Sequence, residues 1–252
     1  MNLHLSEKIV LVTGGSKGIG KGIAKAFLEE GAKVAIVARS IDALQSAKEE
    51  LGNVHIFQGD LTKEASREEV FKQIIQTFGT VDVLINNVGG SNGGTIEETD
   101  LSLFEEAMNF NFLSAVHFSK LALPYMKEQK DGSIINISSI FGRESGGKPT
   151  YNAAKSAMIS FTKSLADEVI QDGIRVNGVA PGSIIHPTGN WQKRLDENPD
   201  KINKFVEEEI PAGRFGTVEE VANVVVFLAS KKSSWVVGAT LNVDGGQSNS
   251  NF

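Results

Sequence analysis

Short runs of β-branched and apolar residues recur along the chain, each followed by a helix-length amphipathic stretch, and this repetition restricts the fold more than any other feature. Strands are expected at 8–13, 33–38, 54–57, 81–86, 133–138, 174–179 and 240–243. A glycine interrupts the helical pattern ahead of several of them, at Gly31, Gly52, Gly79 and Gly173, as a left-handed residue closing a helix would. Strand, turn, helix, glycine and strand in that order require right-handed crossovers between parallel strands. The nearly continuous apolar runs Ile9-Val10-Leu11-Val12 and Val83-Leu84-Ile85 suit strands covered by helices on both faces. The expected class is α/β, a doubly wound parallel sheet of seven strands. No Pro/Ser-rich linker divides the 252 residues, so 1–252 reads as a single domain. The least regular stretch, 183–215, carries Pro187, Pro199 and Pro211 between charged helical pieces. It is expected to be a substrate lid over the C-terminal edge of the sheet.

Two local patterns carry chemistry. The first strand runs into Thr13-Gly14-Gly15-Ser16-Lys17-Gly18-Ile19-Gly20 and then an amphipathic helix. Glycines there permit a tight turn and close backbone approach, and a helix N-terminus offers free N–H groups and partial positive charge to a pyrophosphate. The loop lacks the G-K-[ST] ending of a P-loop, which disfavours ATP chemistry. Farther on, Tyr151 and Lys155 are separated by four positions at the start of a long helix, so they share one face about a turn apart. A neighbouring cation favours the phenolate, and the phenol is expected to titrate below its ordinary value, ready to exchange protons with a substrate oxygen. On its own, Y-x-x-x-K is common on solvated helices.

Several further motifs accompany these two, in order along nearly the whole chain. They are Gly59-Asp60-Leu61-Thr62, Asn86-Asn87-Val88-Gly89, Asn111, Ile137-Ser138-Ser139, Pro181-Gly182 and Val243-Asp244-Gly245-Gly246. With T-G-x-x-x-G-x-G and Y-x-x-x-K, the set resembles the short-chain dehydrogenase/reductase family. The resemblance implies a Rossmann-like sheet and hydride transfer between a nicotinamide and a carbonyl or alcohol. Gly14, Ser16, Lys17, Gly18, Ile19 and Gly20 would cradle the dinucleotide, and Asp60 with Leu61 would lie near its adenine. Asn87 and Gly89 would flank the adenosine ribose, while Pro181, Gly182 and Ile184 would shape the nicotinamide site. Tyr151 would be the general acid or base, Lys155 would also bind the nicotinamide ribose, and Asn111 would hold a water leading from Lys155 to solvent. A serine would orient the substrate carbonyl. Counting back from Gly142 selects Ser139, whereas counting back from Tyr151 selects Ser138. Loops absorb deletions more easily than strand ends, which favours Ser139.

The residues after the second strand point to NADP(H). An NAD site places a carboxylate there for the ribose 2′-hydroxyl, but this chain has Arg39 and Ser40. Asp42 follows in the first turn of a helix, where the dipole accounts for it. Arg39 can fork onto a 2′-phosphate, with Ser40 and Lys17 as further donors.

The family's threonine after Pro-Gly is displaced, with Ser183-Ile184-Ile185-His186-Pro187 standing before Thr188. A loop histidine beside proline is expected to be surface decoration. Trp191 and Phe205 either line the pocket or anchor the lid.

The absence of cysteine rules out disulfides and thiolate catalysis, and four scattered histidines form no H-E-x-x-H, so no metal site is expected. A net charge of −6 argues against a nucleic-acid surface. No apolar run is long enough to span a membrane, and the N-terminus shows no signal-like apolar segment. The expectation is a cytoplasmic homotetramer acting on a small carbonyl or alcohol. A 3-oxoacyl-carrier-protein reductase is the alternative within enzymes. A nucleotide-binding sensor of the same fold is the alternative outside them, although such a sensor need not keep Tyr151, Lys155, the serine and Asn111.

Overall fold

The computed structural model describes residues 2–251. Strands β1 (Ile9–Thr13), β2 (Lys33–Ala38), β3 (Val54–Gln58), β4 (Val83–Asn86), β5 (Gly132–Ile137), β6 (Ile174–Pro181) and β7 (Thr240–Val243) form one sheet in the order β3-β2-β1-β4-β5-β6-β7. Every pairing is parallel. The connecting helices are α1 (Gly18–Glu29), α2 (Ile41–Leu51), α3 (Glu64–Phe78), α4 (Leu101–Met108), α5 (Ser114–Gln129), α6 (Pro149–Val169), α7 (Asn190–Glu197), α8 (Pro199–Glu209) and α9 (Val218–Ala229).

The apolar runs divide between two cores because successive side chains of a strand point to opposite faces. Val10, Val12, Val34 and Ile36 pack against Ile23 and Phe27 of α1, Leu44 of α2 and Val225 of α9. Leu11, Ala35, Val37 and Leu84 face the other way, onto Phe71 of α3, Phe118 of α5 and Leu165 of α6. All of β1 is buried, as a strand covered on both sides requires. The expected helix stops hold: Gly31 and Gly52 lie at φ 78° and Gly79 and Gly173 at φ 79°.

Strand boundaries moved for identifiable reasons. β4 begins at Val83 rather than at residue 81, because Asp82 turns its carboxylate to the Ile9 N–H at 2.7 Å and to Lys8 at 3.0 Å. β6 runs past residue 179 because Pro181 still pairs with Val243 of β7.

Beyond β6, the expected insertion contains α7 and α8. Ile184 and Gly216 pair across its neck, and the Trp191 ring stacks on Phe205 at 4.7 Å and meets Phe215 at 5.2 Å. Among the described residues no helix is long and apolar enough to cross a membrane. The strand order reverses beside β1, and a crevice opens there at the carboxyl ends of the strands, the usual ligand position in such sheets.

Candidate active site

The crevice is a cleft of about 1460 Å³ whose walls include Gly14, Ser16, Lys17, Gly18, Ile19 and Gly20. The loop after β1 bends so tightly that a Cβ on Gly20 would collide with the Gly14 carbonyl oxygen. The Asn87 amide holds the bend, donating to the Thr13 and Gly14 carbonyls at 3.0 and 3.2 Å. α1 starts with no side-chain cap and no acidic residue in its first turn. Its N–H groups and dipole are therefore free for an anion.

Arg39, Ser40 and Lys17 border the same end of the cleft. The Arg39 guanidinium lies 6.0 Å from the centre of the Phe110 ring, and its backbone carbonyl accepts from Gln58 at 3.0 Å. Ser40 caps α2 by accepting from the Ala43 N–H at 3.2 Å, which leaves its own hydroxyl proton to donate. Among the described residues, no carboxylate forms an ion pair with Arg39 or Lys17. Asp42 occupies the first turn of α2.

At the inner end, Ser139, Tyr151 and Lys155 line the cleft together with Ser138, Gly89, Pro181 and Gly182. The two serines behave differently. Ser138 donates its hydroxyl to the Val179 carbonyl at 3.1 Å, tying it to the sheet. Ser139 accepts from the Phe141 N–H at 3.2 Å, and its hydroxyl faces the Tyr151 phenol closely enough to favour the phenolate. The structure therefore puts Ser139 beside the tyrosine.

Lys155 is fully enclosed, donates to the Ile137 carbonyl at 2.8 Å, and is pushed down to about 8 by burial. Its Nζ stands 5.5 Å from the centre of the Tyr151 ring. The expected lowering of the phenol is overturned: burial pushes Tyr151 up, and the Ser139 hydrogen bond only opposes that rise. Desolvation of the phenol is the larger of the two effects.

Asn111 lies within a π-turn (Asn109–Leu113) joining α4 to α5. The wider turn presents its buried amide to residue 90: Nδ2 donates to the Gly90 and Ala107 carbonyls at 3.0 Å each, and Oδ1 accepts from the Gly90 N–H at 2.9 Å. A Cβ on Gly89 would stand 2.7 Å from that Oδ1 and 3.1 Å from Lys155 Nζ, so the strip bearing Gly89 threads between the two side chains. Asn109, two residues earlier, faces elsewhere, donating to the Thr62 carbonyl at 2.7 Å.

Two expected residues sit off the wall. Leu61 borders the cleft, but the Asp60 carboxylate accepts from the Thr62 hydroxyl at 2.7 Å and the Thr62 N–H at 3.1 Å. Those bonds, the hydroxyl's first, hold it below the usual carboxylate range despite partial desolvation. The Ile184 side chain is buried in the core with β1 and α9.

Three features were not read from the sequence. His186 is half-buried on the cleft wall, not surface decoration. Phe110 underlies Arg39. Residues 247–249 strap the substrate end: Gln247 accepts from the Ser183 N–H at 2.8 Å, and Glu144 accepts from the Asn249 N–H at 2.8 Å.

A glycine-turn anion site and a Ser-Tyr-Lys cluster at opposite ends of one cleft, on this sheet order, define a dinucleotide-dependent oxidoreductase. The chain belongs to the short-chain dehydrogenase/reductase family. The profile of a family described as enoyl-(acyl carrier protein) reductase matches residues 14–248. The chain is 35% identical over 249 residues to the 3-oxoacyl-[acyl-carrier-protein] reductase FabG of Thermotoga maritima, covering 97% of this chain and 99% of that one. It is 38% identical to carbonyl reductase family member 4 of Xenopus laevis, covering 95% and 98%. L-sorbose reductase of Gluconobacter frateurii, solved in complex with NADPH and L-sorbose, superimposes with a TM-score of 0.92 at 32% identity, covering 99% and 100%.

Proposed function

We propose that this chain is an NADP(H)-dependent carbonyl reductase in which Tyr151 is the proton donor to the substrate oxygen. The observation that carries the reading is the meeting of Ser139, Tyr151 and Lys155 at the inner end of a cleft whose far end offers unpaired Arg39 and Lys17. The residues fit the cofactor, since α1 leaves its N-terminus free of its own acid and Arg39 stands where a 2′-phosphate needs a fork. When bound, NADPH supplies the hydride.

The protein orients and protonates. Ser139 fixes the substrate oxygen beside the phenol. Tyr151 Oη, held protonated by burial, gives up its proton as negative charge develops on that oxygen. Lys155, charged below about 8, stabilises the phenolate left behind and has hydrogens to spare for the nicotinamide ribose. Both Asn111 amide hydrogens go to backbone carbonyls, which leaves an Oδ1 lone pair for a water feeding the lysine. Ser138, tied to Val179, supports the strand end.

The decisive experiment is a panel of ketones, sugars, steroids and acetoacetyl thioesters followed by NADPH absorbance, with Tyr151→Phe as control. Turnover should fall by about 10²–10⁴ in the variant while NADPH affinity stays within a few-fold. Near-normal kcat in Tyr151→Phe on an accepted substrate would overturn the assignment. The thioesters test the 3-oxoacyl reading, for which neither the relatives nor the mixed charges at the cleft mouth give special support.

We further propose that 183–215 closes over the substrate as a lid, and that the enzyme is a cytoplasmic homotetramer. Exposed Trp235, at 98% of its free area, and exposed Leu113, Ile170 and Leu241 support association. Light scattering at micromolar concentration checks it, a stable mass near 27.0 kDa being the contrary result. The fold owes nothing to disulfides, since cysteine is absent, which suits a reducing compartment. Subcellular fractionation checks the location.

A further inference from the structure

His186 is wedged between the glycine loop and the lid. Its Nε2 is 2.7 Å from where a Cβ on Gly18 would stand, and equally 2.7 Å from the corresponding position on Gly189. Neither glycine could carry a side chain without displacing the ring. Gly18 opens α1 and Gly189 precedes α7, and both helices begin without a side-chain cap or an acidic residue in the first turn. Two uncapped helix N-termini thus meet at one imidazole on the wall of the cleft. Nδ1 lies 3.3 Å from the Thr188 hydroxyl, which leaves Nε2 as the edge turned toward both glycines.

Resting on the NADP(H) reading, we propose that His186 is a cofactor-positioning residue that takes up a proton as it docks on the dinucleotide's diphosphate, so that cofactor affinity rises as pH falls. Burial pushes the ring below the usual imidazole range, and the Lys21 ammonium on α1 adds to this. The charged groups on the elements packed around it are otherwise Lys17 in the glycine loop, Lys193 and Arg194 on α7, and Asp196 and Glu197 in that helix's last turn. Glu50 of α2 is committed to Lys21. Among the described residues, Lys21 is the only charge recorded as acting on the imidazole. A diphosphate arriving at the start of α1 brings opposite charge to within reach of Nε2 and favours the imidazolium. A neutral hydroxyl at this place could bind the same group but could not couple it to protons.

The test is NADPH binding to the intact enzyme, measured by nicotinamide fluorescence from pH 5.5 to 8.5 and by calorimetry in buffers of different ionisation enthalpy. Relative to variants lacking the imidazole, wild type should lose about tenfold more affinity across the window where the free and bound imidazoles differ, and take up more protons on binding. His186→Gln and His186→Asn should abolish the imidazole's share of both effects and approach wild-type affinity at the alkaline end. The 2′-phosphate, whose second pKa is about 6, releases protons on meeting Arg39. Its contribution therefore has the opposite sign and is the same in wild type and variants. Two soluble variants guard against one misfolding. Equal pH slopes and equal proton uptake in wild type and either folded variant would overturn the proposal while leaving the cofactor reading intact. Failure of wild type to bind NADPH at any pH would overturn the cofactor reading itself.

Discussion

Arg39→Ala tests how the protein selects its cofactor, and the structure sets the expected size of the effect. The side chain is exposed, and its recorded side-chain contact is the Phe110 ring at 6.0 Å, worth about 0.5 kcal/mol at an exposed site. Its removal should therefore leave the fold nearly untouched. A hydrogen bond to a charged group contributes about 1.5–3 kcal/mol. At ~1.4 kcal/mol per decade, kcat/KM for NADPH should fall by about tenfold to a hundredfold. NADH has no 2′-phosphate, so its kcat/KM should stay within about twofold, and the NADPH/NADH ratio carries the whole change. Lys17→Ala should cost less. Lys17 is exposed and has no carboxylate or aromatic ring holding it, so more side-chain entropy is lost when it meets the phosphate, whereas Arg39 rests on Phe110 and its backbone is pinned by Gln58. The assay is initial-rate kinetics for both cofactors on one substrate at fixed ionic strength, because exposed charges are screened by salt. An NADPH preference unchanged in Arg39→Ala would refute the placement of the 2′-phosphate.

Lys155, lowered from 10.5 to about 8, should give kcat/KM for reduction an alkaline limb near pH 8, since the raised phenol remains protonated there; a flat profile to pH 10 would contradict it. The unfolded chain binds more protons than the folded one between about 8 and 10.5 at this residue, so its contribution to stability rises with pH across that window, as denaturant titrations at several pH values would detect. Gly89→Ala should destabilise by about 1–3 kcal/mol and lower kcat more than stability explains, because the new methyl meets Asn111 Oδ1 and Lys155 Nζ; unchanged turnover would show that the strip can shift freely. Hydrogen exchange across 183–215 should slow when NADPH and substrate are both bound, and equal protection in both states would remove the lid.

Where conformation was dictated by a residue's own chemistry, the sequence was enough. Gly31, Gly52, Gly79 and Gly173 announce helix ends because a positive φ suits glycine, and the runs in β1 and β4 announce double coverage because no polar residue interrupts them. What depended on distant parts of the chain was harder to read. The different surroundings of Ser138 and Ser139 emerge only by seeing which hydroxyl is tied to Val179 and which faces Tyr151. The direction in which Tyr151 titrates turned on burial, which helical spacing does not reveal. His186 was misjudged for the same reason: a histidine beside a proline reads as exposed until the glycine loop and the start of α7 are found on either side of it. Residues 247–249 carry no periodic pattern, so their strap across Ser183 and Glu144 left no trace in the sequence.

The π-turn at Asn109–Leu113 holds one residue more than an α-helix would over the same hydrogen-bonded rise. Redesigning the segment as smooth α-helix at its present length would strengthen the local backbone and rotate everything on one side by about 100°, whereas deleting a residue would keep the flanking helices in register but remove the wide turn that presents Asn111. Asn111 would then leave Gly90, and the strip between it and Lys155 would lose its partner. A search for thermostable variants would tend to reward such changes, since irregular turns are natural targets for stabilisation. Selection for stability alone would thus work against the placement of Asn111 beside Gly90, and a library aimed at a hardier enzyme should leave 109–113 as it stands.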